Sequence, residues 1–157
     1  MSSLRRLVCG AMAAVGLLLG GCETAAFQSD VATTAKPWTN LKFDDANDSF
    51  TFAIVSDLES GYRPGVFEVA AAQLGLMRPA LVLTIGDQIE GGTEDEARLR
   101  KEWDTFDARL SALHAPYFHI GGNHDLTNLT QRKVWEERYG PRYYSFVYKN
   151  VLFLALD

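Results

Sequence analysis

The chain has 157 residues and a formal net charge of −5, from 15 lysines and arginines against 20 aspartates and glutamates. Hydrophobic residues at 47% and charged residues at 22% are ordinary globular values, which excludes wholesale disorder, a collagen-like repeat and a multi-pass membrane chain. The acidic balance excludes a general phosphate-backbone binder, so nucleic acid and anionic lipid surfaces are poor partners, and the length suits one modest domain. The first element in chain order reads as an export signal. The pair Arg5-Arg6 precedes a 14-residue apolar run over 7–20 that is too short to span a bilayer, which takes about 20 residues, and small residues follow it.

Leu19-Gly20-Gly21-Cys22 closes that leader and resembles the lipobox of bacterial lipoproteins. The resemblance implies a signal peptide over residues 1–21 and acyl chains on Cys22 that hold the mature protein on a membrane of the cell envelope without a spanning helix. Cys9 leaves with the leader, as do Arg5 and Arg6, which takes the formal net charge from −5 to −7. No disulfide framework or catalytic thiolate remains. Residues 22–48, rich in Ala, Thr, Ser, Asp and Asn without a sustained period, read as a flexible tether.

A domain is expected over 49–157. Residues 49–56 (SFTFAIVS) read as a buried strand ending at Asp57, and residues 65–77 as a helix with Val66, Val69, Ala70 and Leu74 on one side. Residues 80–85 (ALVLTI) form a second buried strand, closed by Gly86-Asp87. Thr93 to Glu96 has the pattern of a capping box, and the helix it opens places Leu99, Trp103, Phe106, Leu110 and Leu113 on one face. Residues 116–120 (PYFHI) predict a third strand, followed by Gly121-Gly122-Asn123-His124-Asp125. A helix over 129–139 stops at Gly140-Pro141, and residues 143–148 and 151–157 form a hairpin across Lys149-Asn150. The order predicts a layered α/β fold whose first strands are parallel and joined by right-handed crossovers.

Three strands therefore end in polar signatures: Asp57-Leu58-Glu59, Gly86-Asp87 and Gly122-Asn123-His124-Asp125. In an open α/β sheet, ligands bind outside the carboxyl ends of the strands, so these residues are expected to converge. Carboxylates, an amide oxygen and an imidazole suit Mn, Fe or Zn better than Cu(I).

Gly86-Asp87-Gln88-Ile89-Glu90 resembles the GDxxD or GDxxE block, and Gly122-Asn123-His124-Asp125 the GNHD/GNHE block, of calcineurin-like metallophosphoesterases. Tyr139-Gly140-Pro141 with Tyr143-Tyr144-Ser145-Phe146 resembles a stretch common in bacterial members. The likeness covers 49–157, the N-terminal portion of such a domain, and implies a layered sheet with flanking helices that is incomplete at its C-terminal end. It also implies two divalent cations (Mn, Fe or Zn) and hydrolysis of a phosphomonoester or phosphodiester. Asp57 would bind the first cation, Asp87 would bridge both, and Asn123 would bind the second. His124 would steady the phosphoryl oxygens or protonate the leaving group, with Glu90 as the carboxylate that orients it.

The first block departs from the family's Asp-x-His: Glu59 stands in the second position, and it reads either as a metal ligand or as a solvated loop carboxylate. The family's later histidine ligands have no counterpart here, since His114, His119 and His124 are the only histidines. His114 and His119 read as structural, and Asp125 as a loop clamp made of backbone hydrogen bonds. The alternative from another class is a non-catalytic envelope lipoprotein that keeps the fold as a binding module.

Overall fold

The computed structural model describes residues 26–44, 48–58 and 63–157. Two three-stranded sheets are stacked and helices cover one side. The first sheet is parallel in the order β2 (Phe52–Val55), β3 (Leu81–Thr84), β4 (Tyr117–Phe118). The second is antiparallel in the order β1 (Phe27–Ser29), β5 (Tyr144–Tyr148), β6 (Val151–Ala155). The helices are α1 (Val66–Met77), α2 (Glu96–Leu110), the single turn α3 (Asn123–Leu126) and α4 (Leu129–Tyr139). This is the layered α/β fold expected from the sequence.

The central strand β3 explains the layering. Successive side chains of a strand face opposite ways, so Leu81 and Leu83 enter the core between the sheets while Val82 enters the core beneath the helices. The helix-side core holds Leu99, Trp103 and Phe106 of α2 with Val134, Trp135 and Tyr139 of α4. Trp103 meets Trp135 edge-on at 5.5 Å and Tyr139 at 5.1 Å, the offset geometry that aromatic quadrupoles favour. The hairpin turns at Lys149 (φ 46°) and Asn150 (φ 65°), two left-handed residues of the kind a two-residue turn requires.

Four expectations are corrected. The stretch read as a tether contributes to the fold: β1 pairs antiparallel with β5, and Trp38 forms a bridge to Phe118. Phe27, Trp38 and Phe43 pack into the core between the sheets, because isolated aromatics in a polar stretch gain most by burial against β4 and β5. Among the described residues strand β2 is an edge, not a buried strand, and leaves Phe52 and Ile54 at 43% and 58% exposure. On α1 the buried pair is Phe67 and Ala71, whereas Val66 and Val69 face solvent, since Phe67 presents the larger apolar surface to α2. Finally, α2 is capped by Asp95, whose carboxylate accepts from Arg98 N at 3.1 Å, while Thr93 Oγ1 accepts from Asp95 N one step earlier. Glu96 does not reach back; it pairs with Arg100 and Lys133.

Candidate active site

Asp57 and Asp87 lie just beyond β2 and β3, and both adopt the left-handed conformation, at φ 54° and 55°. That region is costly for non-glycine residues, for aspartate less than most, and such residues gather at functional sites. The loops are joined through their main chains: Asp57 N donates to Gly86 O at 3.3 Å, and Leu58 N to Asp87 O at 3.0 Å. Asp57 Oδ2 accepts from Ser56 Oγ at 2.5 Å.

The third loop joins through Asp87 itself, whose Oδ1 accepts from His124 N at 3.0 Å. Glycines make this approach possible. A Cβ on Gly86 would sit 2.5 Å from Gly122 Cα, and one on Gly122 would sit 2.7 Å from Asp87 N, distances no side chain tolerates. The structure thus brings the loops of Asp57, Asp87 and Asn123-His124 to one rim, at the carboxyl ends of a parallel sheet. Asn123 is exposed at the first turn of α3, and Asp57 is exposed as well.

Asp125 is the clamp beneath the rim. Fully buried, it accepts at Oδ1 from Gln88 N (3.0 Å) and Ile89 N (3.2 Å) and at Oδ2 from Gly122 N (2.9 Å), tying the Gly86-Asp87 loop to the Asn123-His124 loop. Burial raises its pKa to about 6, against the opposing pull of these amide donors. Gln88 extends the clamp inward. Its Nε2 donates to Ile120 O at 3.1 Å and lies 3.5 Å from Asp125 Oδ2, so its Oε1 is the acceptor facing His119 Nδ1 at 2.8 Å. His119 therefore carries its proton on Nδ1. Burial, with Arg138 nearby, lowers its pKa to about 3, and its ring stacks on Tyr139 at 4.1 Å. The structural reading of His119 holds and gains a definite role, which is to anchor Gln88.

His124 is held through both its main-chain groups and one ring nitrogen. Its Nδ1 lies 2.7 Å from Glu90 O, and since a carbonyl only accepts, Nδ1 carries the proton. Its own carbonyl accepts from Gln131 Nε2. The hydrogen bond to Glu90 raises the pKa of His124, with the carboxylates of Asp87, Glu90 and Asp125 adding to it. Here an expectation is corrected: Glu90 orients His124 through its main-chain oxygen and not through its carboxylate, because the turn into Gly91 (φ 55°) directs that carbonyl at the ring.

Glu59 and Cys22 lie outside the described residues. His114 is exposed near the amino ends of β3 and β4, at the opposite pole of the sheet. Among the described residues no three His, Cys, Asp or Glu side chains form a metal-holding group, and no helix is long and apolar enough to cross a membrane. The rim offers two carboxylates and an amide oxygen, from Asp57, Asp87 and Asn123, a hard oxygen set whose chemistry suits a divalent cation. Reasoning from sequence missed Gln88, whose only signal is its place beside Gly86-Asp87, and Gln131 and Glu102, which have none: Gln131 sits in the first turn of α4, and Glu102 looks like the i,i+4 partner of Arg98.

No curated protein and no solved structure matches the chain. The model of the calcineurin-like phosphoesterase family matches residues 50–156, a span that takes in all three rim loops, the clamp at Asp125 and both core layers. The chain belongs to the calcineurin-like phosphoesterase family.

Proposed function

We propose that the protein is an exported, lipid-anchored phosphoesterase that hydrolyses a phosphomonoester or phosphodiester with two divalent cations, Mn, Fe or Zn. One observation carries the reading. Two left-handed aspartates and the Asn123-His124 turn are knitted together at the carboxyl ends of three parallel strands, where an α/β sheet binds ligands. Asp57, Asp87 and Asn123 would hold the cations, and Glu59 offers a further carboxylate. Divalent cations held there would polarise the phosphate and make a bound water acidic near neutrality.

The chain's own residues do the remainder. Glu90 O keeps the His124 proton on Nδ1 in the neutral ring, so Nε2 is the nitrogen that faces the substrate and, once protonated, donates to a phosphoryl oxygen or passes its proton to the leaving group. Asp87 Oδ1 fixes the main chain of His124, so the proton donor and the rim carboxylate are set relative to each other before substrate arrives. Asp125 and Gln88 keep the two loops from parting. The leader and Cys22 support export and a lipid anchor facing the cell envelope, which gives the enzyme envelope-accessible phosphate esters as substrates.

The test is hydrolysis of 4-nitrophenyl phosphate and bis(4-nitrophenyl) phosphate by the purified chain with Mn²⁺, with and without chelator, beside Asp87→Asn. Chelator-sensitive turnover that Asp87→Asn abolishes supports the proposal. Cation binding without turnover would instead describe a binding module. The anchor is tested separately, by incorporation of labelled palmitate in wild type and Cys22→Ser cells.

A further inference from the structure

Helix α2 crosses behind the loop that follows Glu90, and it contributes one side chain to that loop. Glu102 Oε2 accepts from Gly91 N at 2.9 Å, while its Oε1 pairs with Arg98 Nε at 2.7 Å. The N–H it holds belongs to the same peptide group whose carbonyl receives His124 Nδ1 at 2.7 Å. A peptide group is planar and its C=O and N–H point in opposite directions, so the plane cannot turn to relax one hydrogen bond without breaking the other. Gly91 leaves no slack on the remaining side: at φ 55° it is packed against the main chain of His124, where any Cβ would run into the His124 carbonyl oxygen.

We propose that Glu102 is a positioning residue for His124, acting through the Glu90–Gly91 peptide. The carboxylate holds the amide by a charge-assisted hydrogen bond, stronger than a neutral one, and thereby aims the carbonyl at the imidazole. Charge at the N–H end also polarises the peptide and makes its oxygen a better acceptor. A carboxylate and a histidine are thus coupled without touching, and Nδ1–H is the favoured tautomer. The inference rests on the reading of His124 as the residue that meets the phosphate. It goes further in giving a role to a helix residue that otherwise reads as half of a surface ion pair.

The test reads the tautomer directly, by nitrogen NMR of the full chain labelled with ¹⁵N-histidine, at a pH where the imidazoles are neutral. In wild type His124 is expected as Nδ1–H and the Gly91 amide is expected to exchange slowly with solvent. Glu102→Met keeps the length of the side chain but removes the acceptor. It is expected to lower the Nδ1–H to Nε2–H ratio of His124 by roughly tenfold and to speed exchange at Gly91 by a similar factor. Glu102→Gln retains an oxygen for Gly91 and is expected to restore most of the preference. Arg98→Gln removes the ion pair alone and leaves the tautomer unchanged. His119, held by Gln88, reports Nδ1–H throughout. An unaltered His124 ratio in Glu102→Met overturns the proposal, as does loss of the preference in Arg98→Gln. Should Glu102→Met fail to fold, an Nε2–H His124 or a freely exchanging Gly91 amide in wild type overturns it equally. Tautomer loss in a chain with no esterase turnover would leave the positioning role standing while removing the hydrolase reading; turnover with an unresponsive tautomer would do the reverse.

Discussion

His119 makes the fold sensitive to acid, and the size of the effect follows from its surroundings. The ring is fully buried, stacked on Tyr139, donates through Nδ1 to Gln88, and has a pKa lowered to about 3, chiefly by burial. In the unfolded chain an imidazole titrates near 6.5, so between these two values the unfolded state takes up a proton that the folded state refuses. Stability from this group is full above about pH 6.5 and is lost as the pH falls; on going from about pH 7 to about pH 5 the loss is about 2 kcal/mol. Asp125 works in the opposite sense, because its folded pKa, about 6, lies above the unfolded value, and protonation on acidification relieves a buried charge. The two are separated by comparison with His119→Gln, which retains an amide donor for Gln88 Oε1 but does not titrate. Urea unfolding of both proteins at the two pH values is the assay. Wild type is expected to lose about 2 kcal/mol more than His119→Gln over that interval. Equal or smaller losses in wild type would refute the reasoning, since a neutral, buried His119 requires the difference.

The glycines of the rim predict a contrast. Gly122→Ala places a methyl 2.7 Å from Asp87 N and 2.9 Å from Gly86 Cα, both main-chain atoms, and is expected to cost about 1–3 kcal/mol in thermal melts and to weaken Mn²⁺ binding at least tenfold. Gly75→Ala in α1, where a Cβ meets nothing within 4 Å, is expected instead to stabilise by about 0.5–1 kcal/mol. Asn128 caps α4 by accepting from Gln131 N at 2.9 Å and also donates to Thr93 O at 2.9 Å; Asn128→Ala is expected to cost about 1–2 kcal/mol in urea unfolding, at the upper end because it also frees the loop before α2. Trp103 is 1% exposed between Trp135 and Tyr139, and Trp103→Ala is expected to cost about 3–5 kcal/mol by calorimetry.

Sequence alone reveals those parts of the molecule whose causes are local. Helix α4 begins and ends where Asn128 and Gly140 cap it, and the Lys149-Asn150 turn falls between two strands of matching pattern. The stripe from Leu99 to Leu110 reports its own helix face because four large apolar residues outweigh everything else on α2. The three polar loops are legible for a similar reason: each follows an apolar strand, and parallel strands bring their carboxyl ends together. What escapes is set by neighbours remote in sequence. Phe52 and Ile54 have the composition of a buried strand, and nothing local says that β2 pairs, among the described residues, with β3 alone. Phe27, Trp38 and Phe43 lie among Ala, Thr and Asp, and their burial depends on β4 and β5, far along the chain. Glu90 and Glu102 show the same limit at the site. Which atom of Glu90 meets His124, and whether Glu102 serves a solvated face or a loop, depends on how one peptide plane is turned.

The central claim, that the loops of Asp57, Asp87 and Asn123 form a divalent-cation site, is tested most directly by calorimetric titration of the metal-stripped chain with Mn²⁺. Saturable binding is predicted in wild type, at least tenfold weaker in Asp57→Asn and lost in Asp87→Asn, with His114→Gln, at the other pole of the sheet, indistinguishable from wild type. Absence of binding in wild type, or wild-type affinity in the two aspartate variants, would contradict the claim.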